Sequence, residues 1–439
     1  MSIKDSSIRK AILSLLLILL LKITISCDTT EPISGKTLTL ELKDVSCTEA
    51  WLQFTSTGLE LPNTLTLYVD DKINETIELA TEDTLIYIDS LLPNKSYKVK
   101  ATLNTTDNQQ LITNEVTVNT MDTTRSDFTW QTFTFGGSAG SCALYDITII
   151  NENDIWAVGE IDIADSSVNG YTTYNAVHWD GTDWKLMRIF FPTVCSSSNS
   201  LSSFPASAVF ALDDGKVFIT SSGDKIAILQ NNIEIDNFCL PTAYSMSIFR
   251  IWGSTNNNMY IVGSSGKIIK YSDDKWEMLE TGTTTIIPDV WGIEDQNNNT
   301  ILYCPVSSFF YPGDKKILKI TNEIVDSVTW NKNKRLYSAW TNNENFLYVC
   351  GEGVYENMFG VWKEINLITV GTNSVRGNNI NDVIVVGDYG FIAHNNGAHW
   401  KVLGYDYTKG YAHVDIKENI VAICGQSQGL ALIEIGKRN

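Results

Sequence analysis

Beyond residue 36 the chain alternates apolar and polar positions in short runs, broken by Gly, Asn, Asp and Pro. That period of two predicts half-buried β-strands, and no amphipathic helical period follows residue 27. Between 36 and about 120 the runs are TLTLELK (37–43), EAWLQFTST (49–57), TLTLYVD (64–70), INETIEL (73–79), a long stretch over 84–103 and NEVTVNT (114–120). Some seven short strands in about 90 residues predict a sandwich of two sheets. A polar stretch, MDTTRSD (121–127), follows.

The rest of the chain repeats one line: an apolar strand, an Asn/Asp turn, a strand ending in Val-Gly, a third strand, then a turn and Trp. The clearest copies are DITIINENDIWAVGE (146–160) with YNAVHWDGTDWKLMRI (174–189), then 249–279 and 374–403. Weaker copies occupy 206–229, 289–305 with 315–330, 338–365 and 412–435. The last copy stops before its Trp strand. DFTWQTFTFG (127–136) matches the missing piece, as in HWKVLG (399–404). An unclosed row of sheets exposes a strand edge, and pairing its two ends removes it. Six internal copies and one composite copy predict seven sheets in a ring, with six or eight sheets or a parallel β-helix as the alternatives.

Residues 1–10 carry Lys4, Arg9 and Lys10, and AILSLLLILLL (11–21) is an apolar run short for a membrane span. KITISC ends at Cys27, and Ser26 before it is small. This resembles a bacterial lipobox, with Thr24 where Leu is commonest and Lys22 interrupting the apolar approach. The resemblance implies cleavage before Cys27, a lipid on its thiol and a membrane or cell-surface location. An ordinary cleaved signal peptide or an uncleaved anchor is the alternative. In the first domain, Trp51 and the turn Leu92-Pro93-Asn94-Lys95-Ser96-Tyr97 resemble the fibronectin type III fold, with its core Trp and tyrosine corner. The repeat resembles a seven-bladed β-propeller of the sialidase-like or photosystem-assembly-factor-like superfold, although the S-x-D-x-G-x-x-W box is missing. The expected organisation is thus all-β: signal peptide 1–26, tether 27–35, fibronectin type III-like domain 36–121 and β-propeller 127–439.

Composition narrows the partners. The 439 residues carry a net charge of −19, while the first 26 residues hold +3, so the remainder carries −22. Such a surface repels nucleic acid. Aromatics make up 10%, including 12 Trp and 18 Tyr. Seven cysteines follow Cys27. Cys304, Cys350 and Cys424 lie in apolar repeat contexts and predict buried thiols. Cys142, Cys195 and Cys239 lie in Ser/Gly/Pro-rich stretches and are the disulfide candidates.

The candidate chemistry is sparse. His178 and His394 occupy equivalent third-strand positions, which predicts a structural role. Arg250 and Arg376 fall on first strands and are candidates to face a central channel, while Arg188 on an outer strand leaves a sialidase-type arginine triad incomplete. Asp146, Asp289 and Asp415 lie on or near inner strands, which admits a glycan-active hydrolase or lyase as the alternative function. The turns Asn151–Asp154, Asp295–Asn299 and Asn378–Asp382 admit calcium, but turn chemistry explains them more simply. No cofactor or metal is expected. Trp184, Trp276, Trp362, Trp400 and Trp130 recur as packing positions. Trp252 and Trp291, in I-W-G and V-W-G contexts, and Tyr171, Tyr174, Phe309, Phe310 and Tyr311, in longer insertions, are the contact candidates. The expected function is a lipid-anchored binding or scaffold protein whose loops contact a glycan or a protein.

Overall fold

The computed structural model describes residues 35–439 apart from 107–108, 196, 213, 256–257, 274, 309–311 and 368–369, and only the backbone of 197–199. The signal segment, Cys27, Phe309, Phe310 and Tyr311 therefore lie outside the described residues. Among those described, no helix is long and apolar enough to cross a membrane.

The chain divides into two compact units, the first holding most of the strands up to Asn119 and the second holding Thr120–Asn439. The first unit has two antiparallel sheets. Ala50–Thr57 lies between Thr37–Val45 and Asp83–Ile88 in one. The other runs Lys72–Leu79, Asn63–Val69, Ser96–Asn104 and Gln110–Ile112, and Val116–Asn119 also pairs with Ser96–Asn104. Inward alternation buries Trp51, Leu52, Phe54, Leu65, Leu67, Ile86, Val99, Ala101 and Leu103. Of the two leucines before Pro93, Leu91 is buried and Leu92 is 53% exposed, so the core leucine of that turn sits one residue earlier than the sequence reading placed it.

The second unit contains seven four-stranded antiparallel sheets, spanning 143–187, 206–239, 248–279, 291–328, 336–365, 372–404 and 409–438, the last completed by Phe128–Phe135. That strand pairs with Leu430–Arg438, setting Phe133 opposite Ile433 and Trp130 opposite Gly436. The first strand of each sheet neighbours the first strand of the next, and Lys409–Lys417 neighbours Ala143–Asn151. The second sheet has a fourth strand, Ile233–Cys239, which the 206–229 copy omitted. A hairpin, Phe191–Val194 with Ser197–Ser202, lies between the first two sheets.

The recurring Val-Gly has a steric cause. A one-residue bulge interrupts the first strand at Leu144/Asp146, Ile248/Arg250, Leu336/Ser338, Thr372/Ser374 and Tyr411/His413. Opposite each bulge stands Gly159, Gly263, Gly351, Gly387 or Gly425. A Cβ on Gly263 would lie 2.0 Å from the Ser247 carbonyl oxygen, and one on Gly425 would lie 2.0 Å from that of Gly410. The bulge tips a carbonyl into space that only glycine leaves open.

Cysteine pairing differs in part from expectation. Cys195 and Cys239 form a disulfide joining the inserted hairpin to the end of the second sheet. Cys142 is instead a buried free thiol beside Asp162, whose amide N–H donates to its sulfur, and Cys304, Cys350 and Cys424 are buried and free.

Replacing Gly263 with Val should destabilise the protein by about 2 kcal/mol or more, because backbone on two strands must shift to admit the side chain. Denaturant titration of the variant against the parent measures this. Unchanged stability would contradict the steric account.

Candidate functional site

The bulges place one residue of each first strand at an equivalent position: Asp146, Ala208, Arg250, Ser338, Ser374 and His413. Asp289, two residues before Trp291, corresponds to Arg250, two residues before Trp252. Asp146 and Asp289 thus recur in register as expected. Arg250 shares their position, whereas Arg376 and Asp415 lie two residues further along their strands.

Most of these side chains bond across a junction between sheets. Asp146 Oδ2 accepts the Val209 N–H at 2.9 Å, and the Ser207 hydroxyl donates to the Ile248 carbonyl at 2.9 Å. Asp289 accepts from Ala339 N–H at 3.2 Å and from the Ser338 hydroxyl at 2.6 Å. Ser338 Oγ accepts from Val375 N–H at 3.2 Å, and Ser374 Oγ from Val414 N–H at 3.3 Å. Asp415 Oδ2 accepts from Ile149 N–H at 2.7 Å, which joins the seventh sheet to the first.

The charges are matched among themselves. Arg376 donates both terminal nitrogens to Asp289, at 2.8 and 3.0 Å. Arg250 lies between two carboxylates, 3.7 Å from Asp146 Oδ2 and 3.8 Å from Asp289 Oδ1. His413 Nδ1 is 2.9 Å from Asp146 Oδ1. Burial alone would raise the Asp146 and Asp289 carboxyls, but Arg250 and Arg376 respectively, with their other partners, outweigh it and hold both below the usual range. Burial pushes Asp415 up. Burial also pushes the His413 imidazole down, and Arg250 and Arg376 add to that against the pull of Asp146. A general acid for glycoside cleavage needs a free, protonated carboxyl facing substrate. Asp146 and Asp289 are instead held ionised, with both oxygens engaged, so this cluster fits a structural clasp.

The other expected residues are placed as follows. Trp252 is buried and packs its ring against Gly292 of the next sheet, where a Cβ would come within 2.7 Å. Trp291 is half-buried, donates its indole N–H to the Thr341 carbonyl at 2.7 Å, and carries the Arg376 guanidinium 4.8 Å above its ring. Both tie neighbouring sheets together. Tyr171 is 38% exposed, and Tyr174 packs on the core of the first sheet. His178 and His394 each bond an aspartate at the start of the second strand, Asp154 and Asp382, at 2.8 Å. The three Asn/Asp turns use their side chains internally. Asn151 Oδ1 accepts from Asn153 N–H, Asp295 accepts from the N–H groups of Asn297 and Asn299, and Asn378 Nδ2 donates to Asp382 Oδ2 at 2.8 Å. One group of metal-type ligands occurs among the described residues, Cys195, Asp224 and Cys239, and its two sulfurs are joined to each other.

A site that the sequence reading missed lies on two loops of the sixth and seventh sheets. Tyr389, Tyr405 and Tyr407 are 49%, 37% and 76% exposed, with ring centroids 4.7 to 6.5 Å apart. The turn Asp388–Phe391 closes by a 3.3 Å bond and holds Tyr389 and Gly390 at φ +58° and +63°. This left-handed geometry is that of a type I′ hairpin turn. A bulky residue there costs of order 1–3 kcal/mol. The second loop is fixed by Asp406, whose N–H donates to the Tyr389 carbonyl at 2.7 Å and whose carboxylate accepts from the Thr408 N–H and hydroxyl. The result is a preorganised aromatic platform open to solvent. The cue in sequence is GYDYTKGY (404–411) beside the DYG of 388–390.

No family model and no curated protein matches the chain. Among solved structures, a chain described as "YCF48 bound to D1 peptide" superposes with a TM-score of 0.51 at 12% identity, covering 72% of this chain and 97% of that one. YCF48 from Cyanidioschyzon merolae matches at 0.48 and 12% identity over 69% of this chain and 98% of its own. The β-propeller domain of Myceliophteria thermophila Cps50 (Swd1) matches at 0.46 and 7% over 71% and 100%. The first match shows the fold of the second unit, a β-propeller, and nothing beyond fold.

Arg376→Met should cost about 3 kcal/mol, because Asp289 stays buried without its two-point partner and keeps only Arg250 at 3.8 Å; urea unfolding reads this directly. A second expectation concerns acid. A depressed His413 pKa binds fewer protons folded than unfolded, so stability is full above the free-imidazole value of about 6.5 and declines as pH falls below it. Asp146 and Asp289 extend that decline below about pH 4. Thermal melts of the parent should show the first decline between pH 6.5 and 5, and His413→Gln should flatten it. An unaltered profile in the variant would remove His413 from the account.

Proposed function

We propose that this chain is an exported, lipid-anchored binding protein. Its seven sheets act as the blades of a propeller sealed by strand Phe128–Phe135, and its exposed loops engage a protein partner. On this reading Cys27 carries the lipid, and the fibronectin type III-like unit, with its three-plus-five strand arrangement and buried Trp51, belongs to the same exported architecture. The carrying observation is the contrast between the propeller's two polar and aromatic sets. The inner carboxylates Asp146 and Asp289 are engaged by arginine, hydroxyl and backbone, while Tyr389, Tyr405 and Tyr407 cluster exposed at the surface. Tyrosine supplies large contact area at low entropy cost, a property of binding surfaces. The similarly folded YCF48 chain solved with a peptide supports a protein ligand for such a scaffold.

The double variant Tyr389→Ser, Tyr407→Ser should lose at least tenfold in affinity for a partner captured from envelope extracts, at unchanged melting temperature. Equal capture by the variant would refute the platform. Cys27→Ser should abolish incorporation of radiolabelled fatty acid and release the protein from the membrane fraction. Continued labelling would refute the anchor.

A further inference from the structure

We infer that the groove between the first and seventh sheets is a binding site for a neutral glycan. It is a separate surface from the tyrosine platform and does not depend on it. The hollow has a volume of about 520 Å³ and is floored by Ile155, Ile420 and Ile435. That size lies within the range of small-molecule sites, roughly 300–1,000 Å³. One wall carries three half-buried rings, Phe133, Trp179 and Trp184, with centroids 5.6 to 6.1 Å apart. A neighbouring hollow shares Gln131, Phe133, Trp179 and Trp184 and extends past Thr182.

Two observations select the ligand. The paired indoles are particular to the first sheet. Opposite the outer-strand Trp, the other sheets place Tyr271, Asn357, Asn395 or Gly436, and only the first sheet places a second Trp. The charged side chains lining the hollow carry both signs, with Lys437 3.4 Å from Glu152 and Arg438 paired with Asp382. Open aromatic faces beside neutral amide and hydroxyl groups, Gln131, Asn153 and Thr129, suit a pyranose. Its C–H face stacks on a ring while its hydroxyls take the hydrogen bonds.

The test titrates the purified protein with neutral hexasaccharides of glucose, mannose and xylose, α- and β-linked, followed by calorimetry and tryptophan fluorescence. At least one should bind and shift the emission. Trp184→Ala should weaken it tenfold or more, and so should Thr182→Arg, an exposed substitution at the mouth that leaves the packing intact. Tyr389→Ser, Tyr407→Ser should bind the sugar unchanged, so failure of the platform and failure of the groove are read separately. No binding to any neutral sugar at millimolar concentration, binding indifferent to both groove variants, or occupation by a peptide or an acidic sugar instead would overturn the proposal.

Discussion

The junctions between sheets depend on one kind of contact: a polar side chain on an inner strand bonding backbone or charge in the sheet beside it. Apolar packing fills these junctions, and the polar contacts add specific partners to it. Asp146, Ser207, Asp289, Ser338, Ser374 and Asp415 supply direction, and each serves a different junction. Between the third and fourth sheets the same place is taken by Arg250 and Asp289. Bonds to charged acceptors contribute about 1.5–3 kcal/mol each, and leaving any of them unmade would cost a comparable amount. A polar centre built this way is stable only when complete.

This constraint explains why the centre fits poorly as a reactive site. Buried Asp146 and Asp289 require Arg250 and Arg376, and the arginines in turn require both acids. His413 is kept neutral by burial and by the same two guanidinium groups. A group whose ionisation holds the scaffold together cannot exchange protons with substrate without loosening it. The exposed tyrosines and the half-buried indoles of the first sheet lie outside this clasp.

Legibility in sequence followed the range of each interaction. The repeat was readable because its cause is local and recurs: Gly263 and Gly425 each meet a carbonyl across one hairpin. The last sheet was readable because Trp130 repeats the role of Trp400, so the N-terminal strand bears its own mark. His178 and His394 were readable as structural because each finds its aspartate on the adjacent strand. The tyrosine platform was not, since Tyr389 and Tyr405 come from different loops and gather only when a type I′ turn and an aspartate-capped loop meet. Trp252 and Trp291 read as core or as channel-edge contacts, because what hides them, Gly292 and the Thr341 carbonyl, lies in another sheet. Cys142 looked like a disulfide partner because its Ser/Gly neighbours resemble a surface loop, whereas the chain carries its sulfur into the core.

The exposed and the buried aromatics thus separate by what stands opposite them. Trp252 and Trp340 each face a glycine of the next sheet that yields its Cβ space to the ring, Gly292 and Gly377, and both are buried. Where such a glycine stands opposite, the indole becomes part of a junction and is hidden. Trp184 faces Trp179 instead, and both stay half-buried, as do the other outer-strand tryptophans Trp130, Trp276, Trp362 and Trp400. Tyr389 is held outward by its own left-handed backbone, which aims the ring away from the sheet it belongs to. Exposure at Tyr389 is thus tied to its backbone, and an open aromatic face held that way is the feature that a binding surface requires.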